Sequence, residues 1–539
     1  MTDSLPSFTE LRSIEQYRKL LRTLHTLSAT ESHTTLVRML EGLLASPLGP
    51  EEQLEVLESA RQTITFVQHE ISSRYAAHPL PPDSAEDATL RQVVRLWTAL
   101  STAYARLSER SSGKGGDDFR AQWPLLAQRR IQYLGQIIIE YFRARRAEPP
   151  GAWKAVHAAY LEAEKAGVAH SRVIDPLNNT WKAQSPDEAY IALLLVDLTN
   201  PYGRDQRELH WICRWAQRFA PYCIMQTEWE QDDDRAYGLD ANEDHGLRPI
   251  ALIGPRPGMR RFDGHQLAAQ IKAMLTEFKQ GTTPASLGLG DDCVQPACAR
   301  LLVSLYRPWG MSAAGRRFPR RPKRGGNKVC TDWDSIGLLV SGKEFIPPNQ
   351  RQIQGSSYDI NVITFGGRAE EVDPALITDP EAEVRRRGHS IDEWLILDHS
   401  VSGFRMQRKH PVERIEHHQL IGLKPSDGTQ YLLGQVSWLM YEPDGTLLAG
   451  IHLLGGLPTA VAIRGAGINV THSSPYSQGF MLPEVAAMRA PATIILPGNS
   501  FHADRVLEVH GSHAMQLRLT SLVTRGANFD QATYEVVSR

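Results

Sequence analysis

The sequence has few cysteines and no long apolar segment. Five of its 539 residues are cysteine, and the closest pair, Cys293 and Cys298, has neither a second cysteine pair nor a histidine pair near it. Because a zinc site needs such partners, we expect reduced and mostly buried thiols. The best apolar segment, residues 190–198, is too short to span a bilayer, and the N-terminus lacks the features of a signal peptide. We therefore expect a cytoplasmic protein without a membrane span.

The sequence also lacks an excess of charge of either sign. Lys and Arg number 59 and Asp and Glu number 61, so the formal net charge is −2. The molecule as a whole is thus not expected to bind polyanions, and any electrostatic argument must be local. Hydrophobic residues make up 42% of the chain, as in globular proteins, and the length predicts two or three domains.

Signatures of catalysis and metal binding are missing as well. There is no G-x-S-x-G, H-E-x-x-H or phosphate-binding-loop motif, and the G-x-G at Gly288 and Gly290 follows no predicted strand. His410, His417 and His418 lack a carboxylate or cysteine that would complete a convincing metal site. These absences predict a protein that is not an enzyme and holds no metal or cofactor.

Residues 1–280 carry the pattern of helices. Apolar residues recur every three or four positions, for example at Ile131, Leu134 and Ile138, and short Pro/Gly-containing breakers separate such segments. Paired helices of this kind are typical of α-solenoid or tetratricopeptide-like arrays, but no fixed period repeats. We therefore predict an irregular helical domain, with an internal boundary near 110–120.

The end of this helical domain contains further predicted elements. Helices are expected over about 186–198, 206–219 and 264–279, whereas residues 247–254 have the composition of a strand. Residues 281–312 are expected to form a linker or connecting helix.

From residue 313 the pattern changes to period two. Pro-Asp-Gly-like turns flank a strand in which Val436 and Trp438 are expected to share one face, with Trp438 in the core. Four further strands are expected over 392–397, 403–408, 419–424 and 446–454. Such strands usually close on themselves, which removes unpaired edges. We therefore predict a multi-domain, α-then-β protein: a helical region, an antiparallel β-barrel over 313–465, and extra C-terminal strands over 466–539.

Two motifs in the β-rich half can bind a ligand. Residues 316–328 include seven basic residues and no acid, and they contain the R-x-x-x-R spacing twice, as Arg316/Arg320 and Arg317/Arg321. The second motif is the D-x-S-x-x-G formed by Asp398, Ser400 and Gly403. Guanidinium groups pair with phosphate or guanine, aspartate accepts from guanine N–H groups, serine hydroxyls bind phosphate oxygens, and glycine allows close backbone approach. Together these residue types suit a ligand that contains both guanine and phosphate.

The same motifs, followed by the strands at 434–440 and 447–454, resemble a PilZ domain. The resemblance covers about a quarter of the chain. It implies a small antiparallel barrel that binds cyclic di-GMP. By this resemblance the ligand residues would be Arg316, Arg317, Arg320 and Arg321 in the loop and Asp398, Ser400 and Gly403 on the barrel.

One departure from the PilZ pattern is the spacing between the motifs. Arg321 and Asp398 are separated by 76 residues, of which 341–391 have the character of an insertion that follows a predicted strand over 329–340. Either the barrel tolerates this insertion, or the arginine loop belongs to a different barrel and no shared pocket exists. The arginines at 385–387 lie nearer to Asp398 in sequence, and they could contribute to the site or be plain surface.

Three functions without catalysis are compatible with these features, and an enzyme with catalytic residues scattered through the sequence is a less favoured alternative. The first is a bacterial cyclic di-GMP receptor that transmits occupancy to a protein partner through its helical region. The second is a helical interaction scaffold whose PilZ-like domain is degenerate and binds no ligand. The third, nucleic-acid binding through 316–328, is disfavoured by the near-neutral charge elsewhere. We adopt the receptor as the prediction.

Overall fold

A computed structural model describes residues 11–111, 118–229, 236–254, 256, 258–310, 320–322, 325–348, 376–466 and 475–538. The chain divides into two compact units. The helical unit comprises residues 1–78 and 82–315, and the barrel unit comprises residues 79–81 and 316–539. In the parts of the chain covered by these ranges, no helix is long and apolar enough to cross a membrane.

The helical unit is built from helices that begin and end at the breakers in the sequence. Ser28 and Ser185 cap two of them, and each is paired with a glutamate three residues later in a capping box. The helices are α1 (Ile14–Thr23), α2 (Ala29–Ala45), α3 (Pro50–Ser72), α4 (Ser84–Ser111), α5 (Trp123–Arg143), α6 (Ala152–Lys165), α7 (Pro186–Leu198), α8 (Gln206–Phe219), α9 (Ile250–Ile253), α10 (His265–Lys279) and α11 (Ala297–Gly310). The predicted helices near 186–198, 206–219 and 264–279 are confirmed.

Short strands connect the helices of this unit. β1 (Val173–Ile174) and β2 (Ala183–Gln184) form a hairpin, and a small sheet contains β3 (Ile224–Gln226), β4 (Tyr237–Leu239), β5 (Arg248–Pro249) and β6 (Arg260–Asp263). The strand predicted over 247–254 is wrong beyond Pro249, because Ile250–Ile253 form the helical turn α9. A short apolar run does not by itself distinguish a strand from a helical turn.

The two closest cysteines are not reduced thiols. Cys293 and Cys298 form a disulfide, with their Cα atoms 5.7 Å apart, and both residues are buried. Cys298 lies in the first turn of α11, and the preceding loop folds back to bring Cys293 within bonding distance. The prediction of reduced thiols is therefore wrong for this pair.

The barrel unit contains two closed antiparallel barrels. In the described part of the chain, the first has six strands in the order β10-β13-β12-β11-β8-β9, with β9 pairing back to β10. These strands are β8 (Gly326–Cys330), β9 (Asp392–Ser400), β10 (Gly403–Lys409), β11 (Leu420–Pro425), β12 (Leu432–Tyr441) and β13 (Thr446–Leu453). A two-residue strand, β7 (Arg321–Pro322), adds to β9 from outside the ring. The predicted barrel is thus confirmed.

The C-terminal strands close into a barrel of their own. Its order is β14-β15-β16-β19-β18-β17, with β17 pairing back to β14. The strands are β14 (Thr459–Ala466), β15 (Ser477–Leu482), β16 (Thr493–Pro497), β17 (Val506–His510), β18 (Ala514–Arg525) and β19 (Phe529–Ser538). Closure leaves no unpaired edge among these strands.

A helix, α12 (Trp333–Ser341), packs between the two barrels. Asp332 caps it, and Ile336 and Leu339 contact a core cluster that contains residues of both barrels, among them Leu433 and Phe480. The strand predicted over 329–340 is therefore wrong beyond Cys330, because the aspartate cap ends the strand and starts a helix. A second helix of the predicted insertion is α13 (Pro380–Arg386), and residues 349–375 lie outside the described residues.

Trp438 is not in the barrel core. The pairing of β12 with β13 shifts register between Val436 and Trp438, so Leu439 is buried and Trp438 is half-buried. A β-bulge of this kind inverts the alternation of facing residues beyond it. The predicted common face of Val436 and Trp438 is wrong for this reason.

Candidate functional site

The D-x-S-x-x-G motif forms a hairpin at one end of the first barrel. Asp398 and Ser400 lie on β9, Gly403 begins β10, and Ser400 pairs with Gly403. A Cβ atom on Gly403 would lie 2.0 Å from the carbonyl oxygen of Ile451 on β13. Glycine is thus required for β10 and β13 to approach each other at this position.

The end of the arginine loop lies against the same hairpin. β7 pairs antiparallel with β9, with Arg321 opposite His399 and Pro322 opposite Asp398. The Arg320 guanidinium donates a hydrogen bond to the Asp398 carboxylate. The 76 residues between the two motifs therefore do not separate them in space. Arg316 and Arg317 lie outside the described residues.

The Arg320–Asp398 ion pair is only partly buried. The Arg320 and Asp398 side chains are 26% and 22% exposed, and ion pairs near the surface contribute about 0–1 kcal/mol to stability. The pair is consequently a weak stabiliser of the fold. A ligand that offered each partner a new contact could separate them at small cost.

Two residues that the sequence did not assign to the site lie beside it. Arg405 on β10 is paired with Asp398 on β9, and its Nη1 atom is 4.0 Å from Oδ2 of that aspartate. The Trp438 indole lies over Gly450, which is the neighbour of Arg405 on β13. The sequence could have indicated Arg405, because this arginine lies two residues after Gly403 and alternate residues of a strand share a face.

Ser400 has a local partner and partial exposure. Its Oγ atom accepts a hydrogen bond from the Ser402 backbone N–H at 3.3 Å and lies 3.3 Å from the Ser402 hydroxyl. The Arg320 and Arg405 guanidinium groups thus lie at the Asp398 carboxylate, and the Ser400 hydroxyl lies on the same face two residues further along β9, whereas Arg321 is opposite His399 and so on the other face of this strand. The arrangement can bind phosphate and guanine edges together.

The arginines at 385–387 are engaged elsewhere. Arg385 pairs with Glu381, Arg386 with Glu383, and Arg387 with both Glu383 and Glu344. These contacts are ion pairs within α13 and with a neighbouring loop, as expected of a plain surface.

The other weak motifs of the sequence have structural explanations. Gly288 and Gly290 adopt positive φ values of 69° and 108° and pack against the guanidinium groups of Arg218 and Arg214 from α8. The rings of His417 and His418 lie 3.7 Å apart, centroid to centroid. Within the ranges that the structure covers, there is no group of three or more His, Cys, Asp or Glu side chains that could hold a metal ion.

Comparison with known proteins matches both halves of the chain. A model described as the N-terminal domain of the cyclic-di-GMP receptor FimW matches residues 15–231, and a model of the FimW C-terminal β-barrel domain matches residues 461–537. The second match coincides with the barrel formed by β14–β19. Together the two matches span more than half of the chain. The cyclic-di-GMP receptor FimW of Pseudomonas aeruginosa is 21% identical over 502 residues, which cover 86% of this chain and 80% of that protein.

Proposed function

This chain belongs to the FimW family, and we propose that it is a receptor that binds cyclic di-GMP where β7, β9 and β10 meet and transmits occupancy to a protein partner. The observation that carries the proposal is the pairing of β7 with β9, which joins Arg320 and Arg321 to the strand of Asp398 and Ser400. We propose no catalytic activity and no cofactor for this receptor.

Each site residue has a proposed role that follows from its chemistry. Arg320 and Arg321 pair with phosphate or guanine, and Arg316 and Arg317 are proposed to do so from the same loop. Asp398 accepts from the guanine N–H groups, and Ser400 donates to a phosphate oxygen. Gly403 allows β10 to pack closely against β13 and so supports the hairpin that carries Asp398 and Ser400.

Ligand binding replaces the ion pair that exists in the free protein. Separation of Arg320 from Asp398 costs at most about 1 kcal/mol at this exposure. A bidentate arginine–guanine contact contributes about 1–3 kcal/mol. Loss of the ion pair is therefore offset by one such contact, and the remaining contacts must supply the free energy of association.

The scaffold alternative depended on the long spacing between the motifs. Because the two motifs meet through the pairing of β7 with β9, the 76 residues between them no longer support this alternative.

Calorimetric titration of the purified full-length protein with cyclic di-GMP, with GTP as the control ligand, tests the proposal. Arg320→Ala, Arg321→Ala and Ser400→Ala should each weaken binding, the arginine variants by about ten- to a hundred-fold. Arg385→Ala is the matched control, because Arg385 is an exposed arginine that pairs with Glu381 on its own helix, and this variant should bind like the wild type.

Two results would contradict the proposal. Absence of wild-type binding at high micromolar cyclic di-GMP would refute the receptor function. If the arginine variants lose binding while Ser400→Ala binds normally, the D-x-S-x-x-G strand has been assigned wrongly.

A further inference from the structure

Charged side chains are buried in the helical unit beneath the β1–β2 hairpin. The side chains of Arg61 on α3 and Arg129 on α5 are 3% and 0% exposed, and that of Asp175, which follows β1, is 1% exposed. Arg61 Nη2 donates to both carboxylate oxygens of Asp175 at 2.8 and 3.0 Å, and Arg129 Nη1 donates to Oδ2 at 3.2 Å. Two helices thus hold one carboxylate of the hairpin.

Further hydrogen bonds hold both strands of the hairpin. Arg129 Nη2 donates to the carbonyl oxygen of Ile174 at 3.1 Å, and Gln128 Nε2 donates to Oε1 of Gln184 at 2.8 Å. Glu58 supplies the second carboxylate. Burial favours its neutral form, but hydrogen bonding to Arg129 and the charges of Arg129 and Arg61 outweigh burial and lower its pKa. The two buried cations are therefore matched by two carboxylates.

Buried ion pairs contribute little net stability, because both charges lose their hydration. They do, however, require one defined geometry, since a displaced partner would leave an uncompensated charge. The hairpin is consequently held in a single position on α3 and α5. A surface segment that is already ordered loses little conformational entropy when it binds another molecule.

The outer side of this hairpin exposes apolar and basic side chains. Ile174 is 77% exposed and Trp181 is 37% exposed, and the Arg172 guanidinium lies 5.9 Å from a Trp181 ring centroid. Trp181 Nε1 donates to the carbonyl oxygen of Arg218 at 3.0 Å, so the end of α8 lies beside the hairpin. The hairpin face is defined here as Arg172, Ile174, Trp181, Lys182 and Arg218.

The hairpin face carries an uncompensated positive charge. Arg218 is half-buried, its guanidinium packs against Gly288, and its buried Nε atom has no hydrogen-bond partner among the described residues. Burial lowers the pKa of Arg218. Glu188 pairs with Arg172 at 3.3 Å, whereas the Lys182 ammonium donates to the neutral Asn179 side chain.

We propose that the hairpin face docks an acidic segment of another protein, with an apolar side chain of that segment against Ile174 and Trp181 and its carboxylates at Lys182 and Arg218. Charge complementarity selects this occupant, because two of the three cations of the face, Lys182 and Arg218, pair with no carboxylate of the described residues, whereas Arg172 is matched by Glu188. A second copy of the same face would be repelled. The inference rests on the proposed function only for the existence of a protein partner, and it does not require cyclic di-GMP binding.

Site-specific photo-crosslinking of the full-length chain in its own bacterium tests this proposal. A benzophenone amino acid in place of Ile174 should give one major adduct, and mass spectrometry should locate the crosslink in a segment of net negative charge. Lys182→Glu combined with Arg218→Glu should reduce the adduct by about tenfold or more. If the variant with both charges reversed does not fold, Lys182→Glu combined with Arg218→Gln replaces it and should also reduce the adduct.

Matched controls separate the hairpin face from general surface contacts. Lys272→Glu combined with Lys279→Glu makes the same charge change on the exposed side of α10 and should leave the adduct unchanged. The benzophenone in place of Phe66, which is 66% exposed on α3, should not give the same adduct. The proposal fails if the benzophenone at position 174 gives no adduct, or if the adduct is with a second copy of the chain. It also fails if the crosslinked segment is not acidic, or if charge reversal leaves the adduct yield unchanged.

Discussion

Arginine–aspartate pairs occur in two different environments in this chain. Asp175 and Arg61 are almost fully buried, with side chains 1% and 3% exposed, whereas Asp398 and Arg320 are 22% and 26% exposed. A buried partner that loses its counter-charge cannot regain water, but a surface partner can. The same residue types therefore stabilise structure at one position and remain available to a ligand at the other.

The two aspartates should respond differently to the same substitution. Asp175→Asn is expected to lower the free energy of unfolding by about 3–5 kcal/mol, because it leaves the buried Arg61 and Arg129 with one carboxylate between them, that of the partly exposed Glu58. Asp398→Asn is expected to lower it by at most about 1 kcal/mol. Urea unfolding followed by circular dichroism measures both values. Equal effects of the two substitutions would mean that burial does not distinguish these ion pairs.

Glycine has different roles in the strand β10 and in the helix α5. In β10, the missing side chain of Gly403 allows contact with the Ile451 carbonyl, whereas Gly135 in α5 has room for a Cβ atom at 3.5 Å from Leu193. Backbone carbonyls in a barrel cannot move without disturbing their ladder, so the first glycine is a requirement of packing. The second glycine adds only conformational freedom to the unfolded chain.

Alanine at these two glycines should change stability in opposite directions. Gly403→Ala is expected to destabilise the protein by about 1–3 kcal/mol, the usual cost of overpacking. Gly135→Ala is expected to stabilise it by about 0.5–1 kcal/mol. Thermal unfolding of both variants and the wild type measures these changes in stability. A neutral Gly403→Ala variant would show that β10 and β13 can separate at this end of the barrel.

At the scale of the whole molecule, the chain joins a helical unit to a unit of two barrels, and the proposed ligand site lies within the first barrel. The site is built from β7, β9 and β10. Of these strands, β9 and β10 are consecutive, whereas β7 and β9 are far apart in sequence. A ligand that contacts all three connects segments that would separate on unfolding. Binding should for this reason be visible as a gain in global stability.

Cyclic di-GMP should therefore raise the melting temperature of the full-length protein. At 100 times the dissociation constant the expected stabilisation is about 2.7 kcal/mol, or about 5–10 °C for a unit of this size. Arg320→Ala should reduce this shift and leave the melting temperature of the free protein nearly unchanged, since its ion pair is partly exposed. Arg385→Ala should retain the full shift. A ligand-induced shift of equal size in both variants would place the binding site away from Arg320.

The sequence by itself determined the local elements and the chemistry of the candidate site. Helical spacing and breakers predicted α7, α8 and α10, and alternation with Pro-Asp-Gly-like turns predicted β9 to β13. The residue types of the two motifs predicted a ligand with guanine and phosphate, and this stays a prediction. The helix and strand predictions succeeded because backbone propensity and hydrophobic period are properties of neighbouring residues.

Tertiary structure alone decided which distant residues meet. The bulge after Val436, in the pairing of β12 with β13, moved Trp438 out of the core. The Asp332 cap and the Cys293–Cys298 disulfide, by contrast, join residues close in sequence, and their local signals were missed. The contact between Arg320 and Asp398 could not be derived from their spacing, because loop-closure entropy grows only logarithmically with length. A separation of 76 residues therefore neither forbids nor requires the contact, and the pairing of β7 with β9 determines it.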